Sequence, residues 1–405
     1  MRVLLAPDGF GGLLSPQAAA AAMAAGWRAG ARHDEIVVAP LADGGPGFVD
    51  TLRASIGGRL LPFVVRGPWG EDVDAAVLLA GDTAYVESAQ AVGLALVPDD
   101  RRDPTRTTSV GLGELLRHAR ETGARRIVVG LGGSGTVDGG AGMLAGLGLA
   151  GAGGRLAGGG GGLDELADDD LAGLPALRAD WSGVEVLVAC DVDVPLLGLQ
   201  GAAAGFSPQK GATPEQAQHL ERALARFARV AGAALGEVER PNLLAEPVAF
   251  GHHHGAVPTA SARSGADRLA ALPGAGAAGG LGFGLALLGA RLVPGAAVVA
   301  DAVGLDARLA GADLVVTGEG RFDWQSLHGK VVAEVAHRAL AHGLPTIVVA
   351  GEVLVGRREQ AAEGISAAYA VSETRAQVAA ALADPAGTLT ARTAAVARTW
   401  SPRPR

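Results

Sequence analysis

Two lysines stand among the 34 lysine and arginine residues of this 405-residue chain: Lys210 in "FSPQKGATP" and Lys330 in "SLHGKVV". A chain that otherwise uses arginine has kept a compact ammonium twice. Such a point charge carries three rotatable donors and can follow a phosphoryl group as it moves. Around Lys330, "TGEGRFDWQSLHGK" gathers Glu319, Arg321, Asp323, Gln325, Ser326 and His328 within residues 317–330 of a chain that is only 19% charged. A stretch so mixed in sign, between two apolar runs, reads as a binding site. Upstream of Lys210, Asp191 ends the run "VEVLVACD" and could take a proton from an attacking hydroxyl. Asp8, Asp43, Glu319 and Glu352 each follow a short hydrophobic run. Together they would form an acidic rim of the kind a divalent cation prefers, with Asp8, Asp43 and Glu319 as the metal candidates. In "GLGGSGTVDGG" the turn carrying Gly132, Gly133, Ser134, Thr136 and Asp138 follows a strand and opens a helix. Exposed N–H groups at a helix N-terminus bind an anion, most often phosphate, and the two hydroxyls could add donors.

These groups need strand ends and helix starts to bring them together. Short β-branched runs alternate with Ala/Leu-rich helical patterns, which marks a parallel α/β fold. "RVLLAPDG" and "EIVVAPLADGG" lie near the N-terminus; "DLVVTGEG", "TIVVAGE" and "ISAAYAVSE" lie near the C-terminus. The simplest arrangement is one five-stranded sheet built from both ends, residues 1–66 and 296–405, with a second α/β domain, 67–295, inserted. Within the insert, helices are expected over 109–122, 137–149 and 214–235. Thr213 is the expected cap of the last, and Pro214 suits its first turn. "AGGGGG" (157–162) reads as a flexible connection, and "GHHHG" (251–255) as a solvent-exposed loop rather than a metal site.

Several classes fall away. The net charge of −8 argues against a nucleic-acid partner. No apolar run reaches the length of a membrane span. "MRVLLAPDGF" turns polar too soon for a signal peptide, so a cytoplasmic protein, monomer or homodimer, is expected. The single Cys190 excludes a disulfide framework. Gly130, Gly132 and Gly135 match the dinucleotide fingerprint, but the acidic residue it requires about 20 positions on is missing. A nicotinamide dehydrogenase and a non-catalytic nucleotide- or acid-binding protein remain the alternatives.

Taken together and in order, "APDGF", "PLADGG", "GLGGSGTVDGGAGML", "VACDV", "PQKGATPE", "PGAGAAGGLG" and "TGEGRFDWQSLHGK" resemble the bacterial glycerate kinase family (type I) over nearly the whole chain. The resemblance implies ATP-dependent phosphorylation of a small hydroxy acid, D-glycerate, usually to 2-phosphoglycerate, with Mg²⁺. It implies a flavodoxin-like domain with a second α/β domain inserted and an interdomain active site. On that pattern Lys210 and Lys330 would neutralise phosphate charge, Arg321 would fork onto the substrate carboxylate and Asp191 would be the base. Asp8, Asp43 and Glu319 would hold the metal. The chain departs from the family pattern at Gly9, Gly11, Leu13, Pro46, Phe48, Val137 and Trp324, which leaves a kinase for another small hydroxy acid, or a non-catalytic homologue, as the alternatives.

Overall fold

The computed structural model describes residues 1–149, 154–236, 265–327 and 329–402. The "GHHHG" stretch and His328 lie outside the described residues. The chain forms two compact units: Met1–Asp43 with Asp50–Gly57 and Pro294–Arg405, and Gly44–Val49 with Gly58–Val293.

In the first unit five strands pair in the order Ile365–Ala370, Thr346–Ala350, Leu314–Thr317, Arg2–Leu5, Glu35–Val38. Every pairing is parallel. The strands read as nearly unbroken Val/Ile/Leu runs because helices cover both faces of such a sheet. Counted along the chain the order is 2-1-3-4-5, the flavodoxin-like arrangement, whose direction of winding reverses between the first and third strands. The helix Pro16–Gly30 is capped by Ser15, whose hydroxyl accepts from the Ala18 N–H at 3.2 Å. It packs against the C-terminal helix Pro385–Trp400. Gly26 makes that approach possible: a Cβ there would stand 2.8 Å from the Thr393 Cβ.

The second unit holds a six-stranded sheet in the order Arg59–Arg66, Asp72–Ala80, Thr83–Glu87, Arg126–Gly130, Glu185–Cys190, Arg291–Pro294. Its first three strands are antiparallel, and the pairings through Glu185–Cys190 are then parallel. Arg59–Arg66 belongs here rather than with the terminal segments, where a boundary at 66 would put it. The tight turn closed by Gly67 N–H on the Glu71 carbonyl (2.6 Å) folds it back onto Asp72–Ala80 over its whole length.

The helix Pro214–Leu235 begins as the sequence indicates. Thr213 and Gln216 exchange side-chain-to-backbone bonds at 3.2 and 2.9 Å, a complete capping box. The expected helix over 137–149 is shorter, Ala141–Gly146. The Gly-rich stretch 157–162 is not a flexible connection: Gly160–Glu165 is a 3₁₀ turn tied by Gly161 N–H to the Thr105 carbonyl at 2.8 Å. Its glycines serve close packing, since a Cβ on Gly160 would collide with the Val137 carbonyl. Among the described residues no helix is long and apolar enough to cross a membrane.

Candidate active site

In the first unit the ladder continues past its formal ends. Ala6 N–H donates to the Val316 carbonyl and Asp8 N–H to that of Gly318, both at 2.8 Å, while Leu41 N–H reaches the Pro7 carbonyl at 3.0 Å. Leu5 is in register with both Val38 and Val316. Asp8 and Glu319 therefore leave their strands at one level, on either side of the point where the winding reverses, and the 39–43 segment brings Asp43 alongside. Three carboxylates are thus forced together by strand register.

Their electrostatics follow from that crowding. Burial, then the charge of Asp43, then that of Glu319 push the Asp8 carboxyl well above the usual carboxylate range. The Gly9 N–H, 2.6 Å from Asp8 Oδ1, and the Lys330 ammonium act the other way. Glu319, only 9% exposed, is pushed up to about 7, chiefly by burial and further by Asp323 and Asp43, against Ser326 and Lys330. Its Oε1 is buried with no hydrogen-bond partner among the described residues.

Asp43 and Glu319 line a pocket of about 590 Å³ together with Arg321, Asp323, Gln325 and Lys330, and Asp8 stands beside it, next to the lining residue Gly9. Lys330 immediately precedes the helix Val331–Ala341 and is half-buried. Arg321 is exposed, with Nε 3.7 Å from Asp323 Oδ2 and 3.9 Å from Glu352 Oε2. Such solvent-screened pairs hold little energy, so the guanidinium is available for a ligand. Glu352 therefore faces Arg321, in the short strand Glu352–Val353 that pairs with Arg321–Phe322. Asp323 accepts from Gln325 N–H at 2.9 Å, and its own N–H donates to Ser326 Oγ at 3.1 Å. Buried Ser326 thus shapes the turn and supports Glu319 rather than meeting a ligand.

The Gly-rich turn of the second unit departs from the sequence expectation. Asp138 is 0% exposed. Its carboxylate accepts from Ser109 N–H (2.8 Å), Ser109 Oγ–H (2.8 Å), Gly140 N–H (3.0 Å) and Gly142 N–H (3.2 Å). The N-terminus of the helix Ala141–Gly146, expected to hold phosphate, is taken by the protein's own carboxylate. Burial raises the Asp138 carboxyl, and the bonds from Ser109, Gly140 and Gly142 oppose that.

Lys210 is also inside, 2% exposed, donating from Nζ to Ser134 Oγ and to the Thr136 carbonyl, both at 2.8 Å. Burial holds its pKa down to about 7, opposed by the Asp138 charge. It has no surface through which to follow a phosphoryl group. Its ammonium is spent on two uncharged oxygens of the turn. The two lysines therefore answer different needs: Lys330 faces a pocket, and Lys210 pins a turn.

Ser134 and Thr136 are buried, and only Gly132 and Gly133 remain accessible in the turn. Pro46 explains part of its shape, since a Cβ on Gly133 would lie 2.7 Å from Pro46 Cγ. Val137 and Phe48, two of the departures, are both fully buried, and the Phe48 ring meets Tyr85 edge-on at 6.2 Å. Asp191 is half-buried just past Glu185–Cys190. The Cys190 thiol beside it is pushed up to about 12 by burial and then by the Asp191 charge, which leaves it unreactive.

Two residues escaped the sequence reading. Ser109 is the partner that fixes Asp138, and Glu87 accepts from Gly47 N–H (3.0 Å) and Val49 N–H (3.1 Å). Gly280 packs on the same turn, where a Cβ would lie 2.7 Å from the Gly139 Cα. The serine before an apolar helical run was the one available signal.

The donor set Asp8, Asp43 and Glu319 suits a hard cation: all oxygen, mutually repelling, with one carboxylate oxygen unpartnered. Among the described residues, however, no group of three or more His, Cys, Asp or Glu side chains is arranged to hold a metal ion. Mg²⁺ keeps several waters and usually binds through one or two carboxylates plus substrate phosphates, so the residues fit a cation that arrives with its substrate.

Comparison with known proteins places this geometry in a lineage. The model of the glycerate kinase family matches residues 3–401. A glycerate 2-kinase of Escherichia coli (strain K12) is 40% identical, covering 92% of this chain and 90% of its own length. A glycerate kinase of Bacillus subtilis (strain 168) is 39% identical, with coverage of 92% and 90%. A crystal structure from Salmonella typhimurium LT2, provisionally named glycerate kinase 2, superposes with a TM-score of 0.73 at 38% identity and covers 98% of both chains. The nicotinamide alternative is overturned by these matches and by the turn itself, whose helix start Asp138 already occupies. The chain belongs to the glycerate kinase family and is a kinase acting on a hydroxyl group.

Proposed function

We propose that this chain is a cytoplasmic enzyme of two domains that transfers the γ-phosphoryl group of ATP to D-glycerate, yielding 2-phosphoglycerate. The observation that carries the reading is the crowding of Asp8, Asp43 and Glu319 beside Lys330, with the last three of these lining a pocket at the reversal point of a parallel sheet. Phosphoryl transfer needs positioning and charge neutralisation more than covalent chemistry from the protein. Lys330 offsets phosphate charge, and Arg321 offers its exposed fork to the substrate carboxylate. Asp8, Asp43 and Glu319 hold Mg²⁺ directly or through water. When bound, the ion neutralises charge developing on the phosphate oxygens. Asp191 takes the proton of the attacking hydroxyl, and the accessible backbone of Gly132 and Gly133 contacts the anionic substrate. Lys210, Ser134, Thr136 and Asp138 are positioning residues that fix the turn.

A coupled ADP-release assay with D-glycerate, ATP and Mg²⁺ tests the reading, with the product position read by NMR. Lys330→Arg should lower turnover at least about tenfold, equivalent to about 1.4 kcal/mol. No turnover in the unsubstituted protein, with ATP still raising its Tm, would leave a non-catalytic nucleotide binder instead.

Proton linkage supplies a second test. Glu319 is held at about 7 against an ordinary value of 4.5, so the free protein carries an extra proton in that interval. Its protonated form stabilises the fold: the contribution is fully present below about 4.5 and is lost as pH rises through about 7. A cation bound to the carboxylate must displace that proton. Mg²⁺–ATP binding at pH 6 should release more protons than at pH 8.5, by calorimetry in buffers of different ionisation heat. Equal release at both values would remove Glu319 from the cation site.

A further inference from the structure

The pocket of the first unit is far larger than a three-carbon acid requires. At about 590 Å³ it lies in the range that encloses drug-sized ligands. Its lining also falls into two chemically different parts. Asp43, Glu319, Arg321, Asp323 and Lys330 come from the strand-end loops. Leu13 and Leu14, with Val371, Ala381, Pro385 and Leu389, form an apolar wall supplied by the turn after the first strand, by the end of the strand Ile365–Ala370 and by the C-terminal helices Arg375–Ala383 and Pro385–Trp400. Leu13 is 51% exposed there, and the turn carries Gly11 at φ +56° with open space where a side chain would stand. Glycerate at Arg321 would leave most of this lining uncovered, whereas a charged pole joined to an apolar wall matches a nucleoside triphosphate.

We propose, building on the phosphoryl-donor reading above, that this pocket holds the donor with its base on the apolar wall, and that the wall reads the base weakly. The wall contains one polar side chain, Thr388; the other neutral polar side chain of the lining, Gln325, comes from the strand-end loop that carries Asp323. The Thr388 hydroxyl is already engaged, donating toward the carbonyls of Asp384 (2.8 Å) and Pro385 (3.1 Å). Two neighbouring backbone N–H groups are also engaged: Gly351 with the Glu319 carbonyl at 3.1 Å and Val371 with that of Ala350 at 2.7 Å. A site that grips a ring through hydrogen bonds rejects analogues by orders of magnitude. An apolar surface discriminates only by roughly one to two orders. The base therefore contributes buried area, and its pattern of donors and acceptors goes largely unread.

The experiment compares kcat/KM for ATP, GTP and UTP with D-glycerate and Mg²⁺ held constant. Ratios within about thirtyfold are expected, and a larger preference for ATP overturns weak reading. The second arm uses Ala381→Glu, at a half-buried helical position where the added carboxylate can reach water. It should raise KM for ATP at least about tenfold and leave inhibition by inorganic tripolyphosphate unchanged. An unchanged KM for ATP, or an equal shift for tripolyphosphate, removes the base from this wall. Absence of nucleoside diphosphate release from any of the three nucleotides in the unsubstituted protein is a different result: it ends the phosphoryl-donor reading itself, and this inference with it.

Discussion

Asp8→Asn is expected to cost about a thousandfold in turnover while making the protein slightly more stable. Both halves have the same cause. The Asp8 carboxyl is buried beside Asp43 and Glu319, each of which raises its pKa, so its charge strains the fold in the absence of a cation. Asparagine keeps the shape and can still accept from the Gly9 N–H through Oδ1, but it removes one negative charge from the cluster. The fold should gain on the order of 1 kcal/mol, as when a strained active-site charge is neutralised. Catalysis should lose about 4 kcal/mol of transition-state stabilisation, the equivalent of a thousandfold. Measuring kcat and the urea midpoint on one preparation decides the matter. Retained turnover would move the cation site elsewhere, and a lower midpoint would make Asp8 a structural group.

Asp138→Ala is expected to have the opposite profile, a large loss of stability. It strips the acceptor from Gly140 N–H, Gly142 N–H and the Ser109 backbone N–H at a fully buried position. Each orphaned donor costs about 1–3 kcal/mol. The Lys210 ammonium also loses the nearby charge that favours its protonated form. A destabilisation of about 4 kcal/mol or more is expected in urea titrations, and it should be centred on the second unit. Hydrogen exchange would locate it: amides of the turn and of the helix Val110–Glu121, which Ser109 precedes, should lose protection first. A change below about 1 kcal/mol would mean that Asp138 does not organise this turn.

The contrast between these two aspartates shows where a reading from sequence stops. Asp8 follows a hydrophobic run and Asp138 a Gly-rich turn, yet both read as site carboxylates, and nothing in the chain distinguishes one that faces ligand from one spent on its own backbone. The difference depends on Ser109, distant in sequence from the turn it completes, and on register between strands at opposite ends of the chain. The same holds for the lysines. Their rarity marks both as special, yet only packing shows that Lys210 is sealed behind Ser134 and Thr136 while Lys330 faces the pocket.

By itself the sequence determined the periodic and local features. These were the alternation of strands and helices, the parallel sheet assembled from both termini, the capping box at Thr213, the clustering of charge around Lys330 and the family resemblance. Such properties rest on interactions within a few residues or on the alternation of apolar patches, which a one-dimensional string records. Tertiary structure decided the rest: that Arg59–Arg66 joins the second sheet, that the glycines of 157–162 serve contact rather than flexibility, and that the C-terminal helices supply the pocket's apolar wall. Those outcomes depend on which surfaces meet and which polar groups then find partners, and contacts between distant segments leave no local trace in the chain.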